Sequence, residues 1–239
     1  MKTTLMTLCS ILILPLTGMA QTAGTLHVFP QFADGLLADG TFYQSILAAT
    51  AVTDKPTTCR YRVYGPSTSR IQGNDTFTMQ GVGAIGFLLS YGNLFPLATG
   101  YATLSCDQNV TATLGYIYVK GETVVSGAAV FSSPAATRAQ LTVSEGGDSR
   151  LALAIANDTD SANTYQVTVY ASNGNEVATR NVTIPARSSV PRFVDELISL
   201  PGNFFGRVVV SAPTGGSFSL IGFHFFGTVF LTQPATILQ

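Results

Sequence analysis

The chain has 239 residues and a formal net charge of −1, with charged side chains at 10%, far below the roughly 25% usual for soluble domains. No run of basic residues occurs, which removes the electrostatic footprint of a nucleic-acid binder. Hydrophobic residues make up 46%, too many for a disordered chain, and Ser, Thr, Asn, Gln and Gly stand where charges would, as suits an extracellular β-protein.

The first twenty residues, "MKTTLMTLCSILILPLTGMA", read as a secretory signal. Lys2 gives a short positive start, an apolar stretch runs from about Leu5 to Leu16, and Gly18-Met19-Ala20 places small residues before a cleavage site at Gln21. The apolar stretch is shorter than the roughly 20 residues that span a bilayer. Cys9 follows Leu8 and lies inside the apolar region, which argues against lipid attachment there. Cleavage leaves 219 residues (239 − 20), enough for one large β-domain or two ordinary ones. No membrane-spanning segment is expected in that remainder.

Along the mature chain, short runs alternate apolar and polar residues: "SILAATAV", "CRYRVY", "YATLSC", "TLGYIYV", "LALAIAN", "YQVTVYA", "RVVVSA" and "SLIGFHFF". Turn-forming clusters separate them: "TDKPT", "DQN", "NDTDSAN", "SNGN" and "APTGG". The Asn173-Gly174 pair is a hairpin signal, with a two-residue or a longer loop both open. In "TCRYRVY", Cys59, Tyr61 and Val63 share one strand face, and Arg60 and Arg62 the other. In "YATLSC", Ala102, Leu104 and Cys106 share the apolar face. Both thiols therefore point toward a core, and in an oxidising compartment a Cys59–Cys106 disulfide is expected, the alternative being two buried free thiols.

The chain also matches itself. "CRYRVYG" (59–65) lies over "YQVTVYA" (165–171), and "GYATLSCDQNVTATLGYIYV" (100–119) over "GRVVVSAPTGGSFSLIGFHF" (206–225), both at an offset of 106 (165 − 59 and 206 − 100). A shared offset across blocks some forty residues apart implies two copies of one module of about a hundred residues. The fold class expected is all-β: two tandem immunoglobulin-like sandwiches at 24–132 and 133–239, each with a short connecting helix, joined near "SSPAAT" (132–137).

"FPQFADG" (29–35), "IPARSSVPRFVDEL" (184–197), "GRVVVSAP" and "FLTQPATI" resemble a repeat of secreted and surface proteins from environmental bacteria. The resemblance covers nearly the whole mature chain and implies the fold and an extracellular location. It carries no assigned activity. The first half departs from it, with "GAIGFLLSYG" where the second has "VPRFVDELIS".

Few places look like chemistry. In "SSVPRFVDEL", Ser188 or Ser189 is expected to cap a short helix with Pro191 in its first turn, and Asp195-Glu196 to lie near the helix dipole rather than to act as acid and base. Asn157, Asp158 and Asp160 are oxygen ligands without the glycine and distal glutamate of a calcium loop, so a polar turn is expected. His27 and His224 are few for acid–base or metal chemistry, and "GVGAIG" (81–86) lacks the βαβ setting of a nucleotide fingerprint. No catalytic, metal or cofactor residues are assigned. A ligand face of Tyr101, Tyr116 and Tyr118 is the candidate site, set against ordinary cross-strand packing.

The expectation is thus a non-catalytic secreted or cell-surface module for structure or adhesion. The alternative is an extracellular glycan- or small-ligand-binding protein. Partners would be an extracellular protein, an envelope component or a glycan, without nucleic acid and without a cofactor.

Overall fold

A computed structural model describes residues 22–65, 76–89, 96–227 and 229–239; the expected signal segment lies outside them. The strands in chain order are β1 (Gly24–Leu36), β2 (Phe42–Ala51), β3 (Thr57–Tyr64), β4 (Thr76–Met79), β5 (Ala84–Leu88), β6 (Ala98–Lys120), β7 (Thr123–Phe131) and β8 (Arg138–Glu145). There follow β9 (Ser149–Asn157), β10 (Asn163–Ala171), β11 (Glu176–Ile184), β12 (Ser188–Phe193), a single helical turn α1 (Val194–Leu197), β13 (Phe204–Ser211), β14 (Ser219–Phe226), β15 (Val229–Pro234) and β16 (Thr236–Ile237). The protein is all-β, and the described residues form three sheets compatible with sandwich packing.

β6 organises the first half. Its 23 residues pair with β1 and β3 over the first part and with β2 and β7 over the second. The strands therefore run β4-β3-β6-β1 around one end of β6 and β5-β2-β6-β7 around the other. In the second half the sheets run β11-β10-β13-β8 and β12-β9-β14-β15, with β13 and β14 in the places of the two ends of β6. The chain breaks between β13 and β14 because Pro213 supplies no N–H and Gly215 takes φ 76°.

The registers correspond as well. Tyr64 faces Tyr101 and Val63 faces Ala102, while Tyr170 faces Arg207 and Val169 faces Val208; 170 − 64 and 207 − 101 are both 106. Gly100 and Gly206 sit beside these pairs. A Cβ on Gly100 would collide with the Tyr64 carbonyl oxygen, and one on Gly206 with that of Tyr170.

β3 buries Cys59, Tyr61 and Val63 and exposes Arg60 and Arg62, the alternation that its spacing predicts. Cys59 and Cys106 are direct cross-strand partners and form a disulfide, with their Cα atoms 4.0 Å apart. The "SNGN" turn joins β10 to β11 as a longer loop: Ala171 N–H donates to the Asn175 carbonyl, and Gly174 takes φ 87°.

β9 decides how the halves meet. In "LALAIAN", Leu151, Leu153 and Ile155 face the core of the second half, while Ala152 and Ala154 join the core of the first. Ala156 packs with Val28 and Tyr101. Small side chains on that face let the first-half layer approach closely, so one apolar core runs from Phe29 and Leu104 to Ile221 and Phe230. The 132–137 segment is tied into both halves: Ser133 N–H donates to the Val28 carbonyl at 2.8 Å, and its hydroxyl to the Leu220 carbonyl at 2.8 Å.

Two local expectations are corrected. Ser188–Phe193 is a strand rather than a helix start, and the helical turn begins at Val194. Pro191 is accommodated because β12 is an edge strand, pairing among the described residues only with β9, where a missing N–H costs no ladder bond. The turn expected at Asp107–Asn109 is absent, because β6 runs straight through it. The Asp107 side chain accepts the Thr58 N–H at 2.9 Å, and β1 absorbs the irregularity as a register shift after Gly24.

Candidate functional site

Between the two halves lies an aromatic groove of about 420 Å³, walled by Tyr43 and Tyr116 on one side and by Phe193, Phe223, Phe225 and Phe230 on the other. Strand alternation sets the second wall: Phe223 and Phe225 are two apart on β14, and Phe225 pairs across to Phe230 on β15. The rings form a chain, with centroid separations of 5.3 Å for Phe193–Phe225, 5.1 Å for Phe225–Phe230, 5.5 Å for Phe230–Tyr116 and 5.8 Å for Tyr116–Tyr43. Tyr118 extends it, 5.0 Å from Tyr43.

The groove's polar groups are few. Gln31 is 7% exposed; its amide N–H donates to the Phe32 carbonyl at 3.1 Å, while its side-chain oxygen has no hydrogen-bond partner. Exposed Arg192 and Glu196 stand on the lining. Burial raises the phenol pKa of Tyr116 far above its ordinary value and that of Tyr43 less so, the neighbouring tyrosines adding to each. Both phenols thus stay neutral; the Tyr116 ring is buried in the core, and half-buried Tyr43 presents an apolar face with a hydroxyl tip.

The three tyrosines of the expected ligand face separate into two places. Tyr116 lies on the groove lining with Tyr43, and Tyr118 stands beside Tyr43, off the lining. Tyr101 is fully buried, stacked on Tyr64 at 4.7 Å, and its hydroxyl donates to Asp158 Oδ1 at 2.8 Å. Burial and that hydrogen bond push its phenol pKa strongly up. Arg187 joins the same carboxylate and reaches Asp160 Oδ1 at 3.0 Å, and its backbone takes φ 51°, an unfavourable region for a residue with a Cβ. These charges hold its guanidinium protonated, Asp160 first among them. The polar loop 157–163 is thereby spent on a junction between the halves. Asn157 completes it, donating to the carbonyls of Ser161, Ile184 and Pro185.

The remaining singled-out residues have structural places. Asp195 accepts two hydrogen bonds from Arg150, at 3.0 and 2.7 Å, while the Arg150 guanidinium lies 3.8 Å over the Phe193 ring. Glu196 accepts the Phe193 N–H at 3.4 Å. A ring nitrogen of His224 meets the Gln233 side chain at 2.8 Å. Gly81, in "GVGAIG", takes φ 55° in a turn that leads into β5, which pairs antiparallel with β2.

The sequence reading missed Tyr43, Gln31 and the four groove phenylalanines. The spacing of Phe223 and Phe225 was visible, but the layer they face is set by tertiary packing. The alanines of "LALAIAN" were the one signal of a second layer. No protein-family model matches the chain, and comparison with curated proteins and with solved structures finds no similar protein.

Proposed function

We propose that residues 24–132 and 133–239 are two copies of one immunoglobulin-like sandwich module, exported behind a signal at 1–20, and that the protein is a non-catalytic secreted or cell-surface component of structural or adhesive type. The duplication is supported by strand registers displaced by 106 in both partners and by the same glycine-to-tyrosine approach in each half. The Cys59–Cys106 disulfide suits an oxidising compartment. A helical turn stands in the second copy at Val194–Leu197; part of the matched stretch of the first copy lies outside the described residues.

The observation that carries the functional reading is the shared core. Two sandwiches joined face to face through Ala152, Ala154, Phe223 and Tyr116 make a rigid spacer, and the acidic side chains of 158, 160 and 195 are spent on ion pairs that pin loops. Sedimentation of residues 21–239, alone and with isolated cell envelopes, tests the reading. Concentration-dependent assembly or co-sedimentation with envelopes is expected; a monomer that stays in the supernatant throughout would contradict it.

A second reading, glycan or small-ligand binding, rests on the groove. Half-buried Tyr43, Phe193 and Phe225 on its lining offer stacking faces, and the Gln31 carbonyl is a buried acceptor without a donor, a state that costs free energy unless something fills it. Saturable binding of a neutral oligosaccharide, lost on Tyr43→Ala, is its signature.

A further inference from the structure

A second cleft, of about 370 Å³, opens on the outer face of β3 and β6, lined by Arg60, Arg62, Arg187, Thr103, Ser105 and Tyr64 among others. We infer that it binds an anionic saccharide, through carboxylate or sulfate groups carried on a hydroxylated chain. The inference goes beyond the groove reading and needs no ligand in the groove.

Three basic side chains meet here in a chain whose net charge is −1. Arg60 and Arg62 are exposed, and among the described residues no ion pair or hydrogen bond engages either of them. Their cross-strand partners are hydroxyls rather than carboxylates, since Arg60 faces Ser105 and Arg62 faces Thr103. Asp158, the carboxylate on the lining, is already held by Tyr101 and Arg187. Among the described residues, each of these two guanidinium groups therefore keeps its full fork of N–H donors, the geometry that recognises carboxylate and sulfate-like oxyanions in pairs.

Spacing and surroundings narrow the ligand. Arg60 and Arg62 lie two residues apart on one strand, roughly 7 Å by the rise of an extended chain, so successive charges on a chain can meet both. Ser105 and Thr103 offer partners for ligand hydroxyls. Leu26, 58% exposed, gives an apolar face for sugar C–H groups. A bare inorganic anion would use the arginines alone.

The test uses residues 21–239 titrated with polygalacturonate, dextran sulfate, neutral dextran and single-stranded DNA. Saturable binding of at least one acidic polysaccharide, without binding of neutral dextran, is expected. Whether polygalacturonate or dextran sulfate binds identifies the anionic group. Both arginines are exposed, so R60Q/R62Q should keep the wild-type melting temperature and weaken binding tenfold or more, by loss of charge-assisted hydrogen bonds. R138Q/R180Q, the same charge change on other strands, should weaken it less than twofold. The inference is overturned if neither polyanion binds, if the two double variants lose affinity equally, or if DNA binds as tightly as the polysaccharides. Because neutral-ligand binding at the groove is read with Tyr43→Ala, failure at the arginines and failure at the groove are told apart.

Discussion

The hydroxyl of Tyr101, near the start of β6, donates at 2.8 Å to Asp158 Oδ1 in the loop after β9, so the first half of the chain reaches into the second through one buried phenol. Arg187 closes on the same carboxylate from the other side. Tyr101→Phe keeps the ring on Tyr64 and Ala156 and removes only the donor. It should lower unfolding stability by about 1.5–3 kcal/mol in urea titration, the worth of a hydrogen bond to a charged acceptor. No change at all would mean that Asp158 is satisfied by Arg187 alone.

Gly100 and Gly206 hold matched positions where the backbone of a neighbouring strand leaves no room for a Cβ. The obstructing atoms are carbonyl oxygens, which cannot swing away as a flexible side chain would. Gly100→Ala and Gly206→Ala should each cost about 2 kcal/mol or more, or prevent folding, as overpacking against fixed atoms does. Gly202, with open space around it, is the control: Gly202→Ala should stay within about 0.5 kcal/mol. Similar melting temperatures for all three would contradict the close approach.

The disulfide joins strands 47 residues apart in sequence. Closing a loop of that length removes about 4 kcal/mol of chain entropy from the unfolded state. Cys59→Ser with Cys106→Ser should therefore lower stability by roughly 2–4 kcal/mol while leaving the fold, since Cys59 and its neighbours Tyr61 and Leu104 are already buried in the core. Intact mass before and after alkylation, with and without reductant, reports the bond directly.

His27 is 1% exposed. Its Nε2–H donates to the Gly24 and Val110 carbonyls at 3.1 and 3.0 Å, and Nδ1 has no partner. Protonation would place a hydrogen on that unpartnered atom, and burial lowers the pKa below the ordinary 6.5. The unfolded chain then binds a proton at higher pH than the folded one. Stability is full above 6.5 and declines as pH falls from there toward the folded-state pKa. Unfolding free energies between about pH 7 and 5.5 should show this slope, and His27→Gln should flatten it.

How much of this was legible in the residues depends on the range of the interaction. The faces of β3 followed from strict alternation, which brought Cys59 inward and Arg60 and Arg62 outward. The matched blocks around Tyr64 and Tyr170 anticipated a common register. What escaped was set at a distance. Asp107 looks like a turn residue until Thr58 supplies its partner across the sheet. Pro191 looks like a helix start until β12 is seen at an edge. Tyr101, Tyr116 and Tyr118 share a strand, yet Asp158 and Tyr43 draw them to different places.

Both the aromatic groove and the arginine cleft are built from residues of the two halves, so the account rests on those halves behaving as one body. Differential scanning calorimetry of residues 21–239, with the disulfide intact, tests this most directly. A single transition with a van't Hoff to calorimetric enthalpy ratio of about one is expected, because the shared core must melt as a unit. Two resolved transitions, or a ratio of about one half, would show two independent sandwiches and contradict the account.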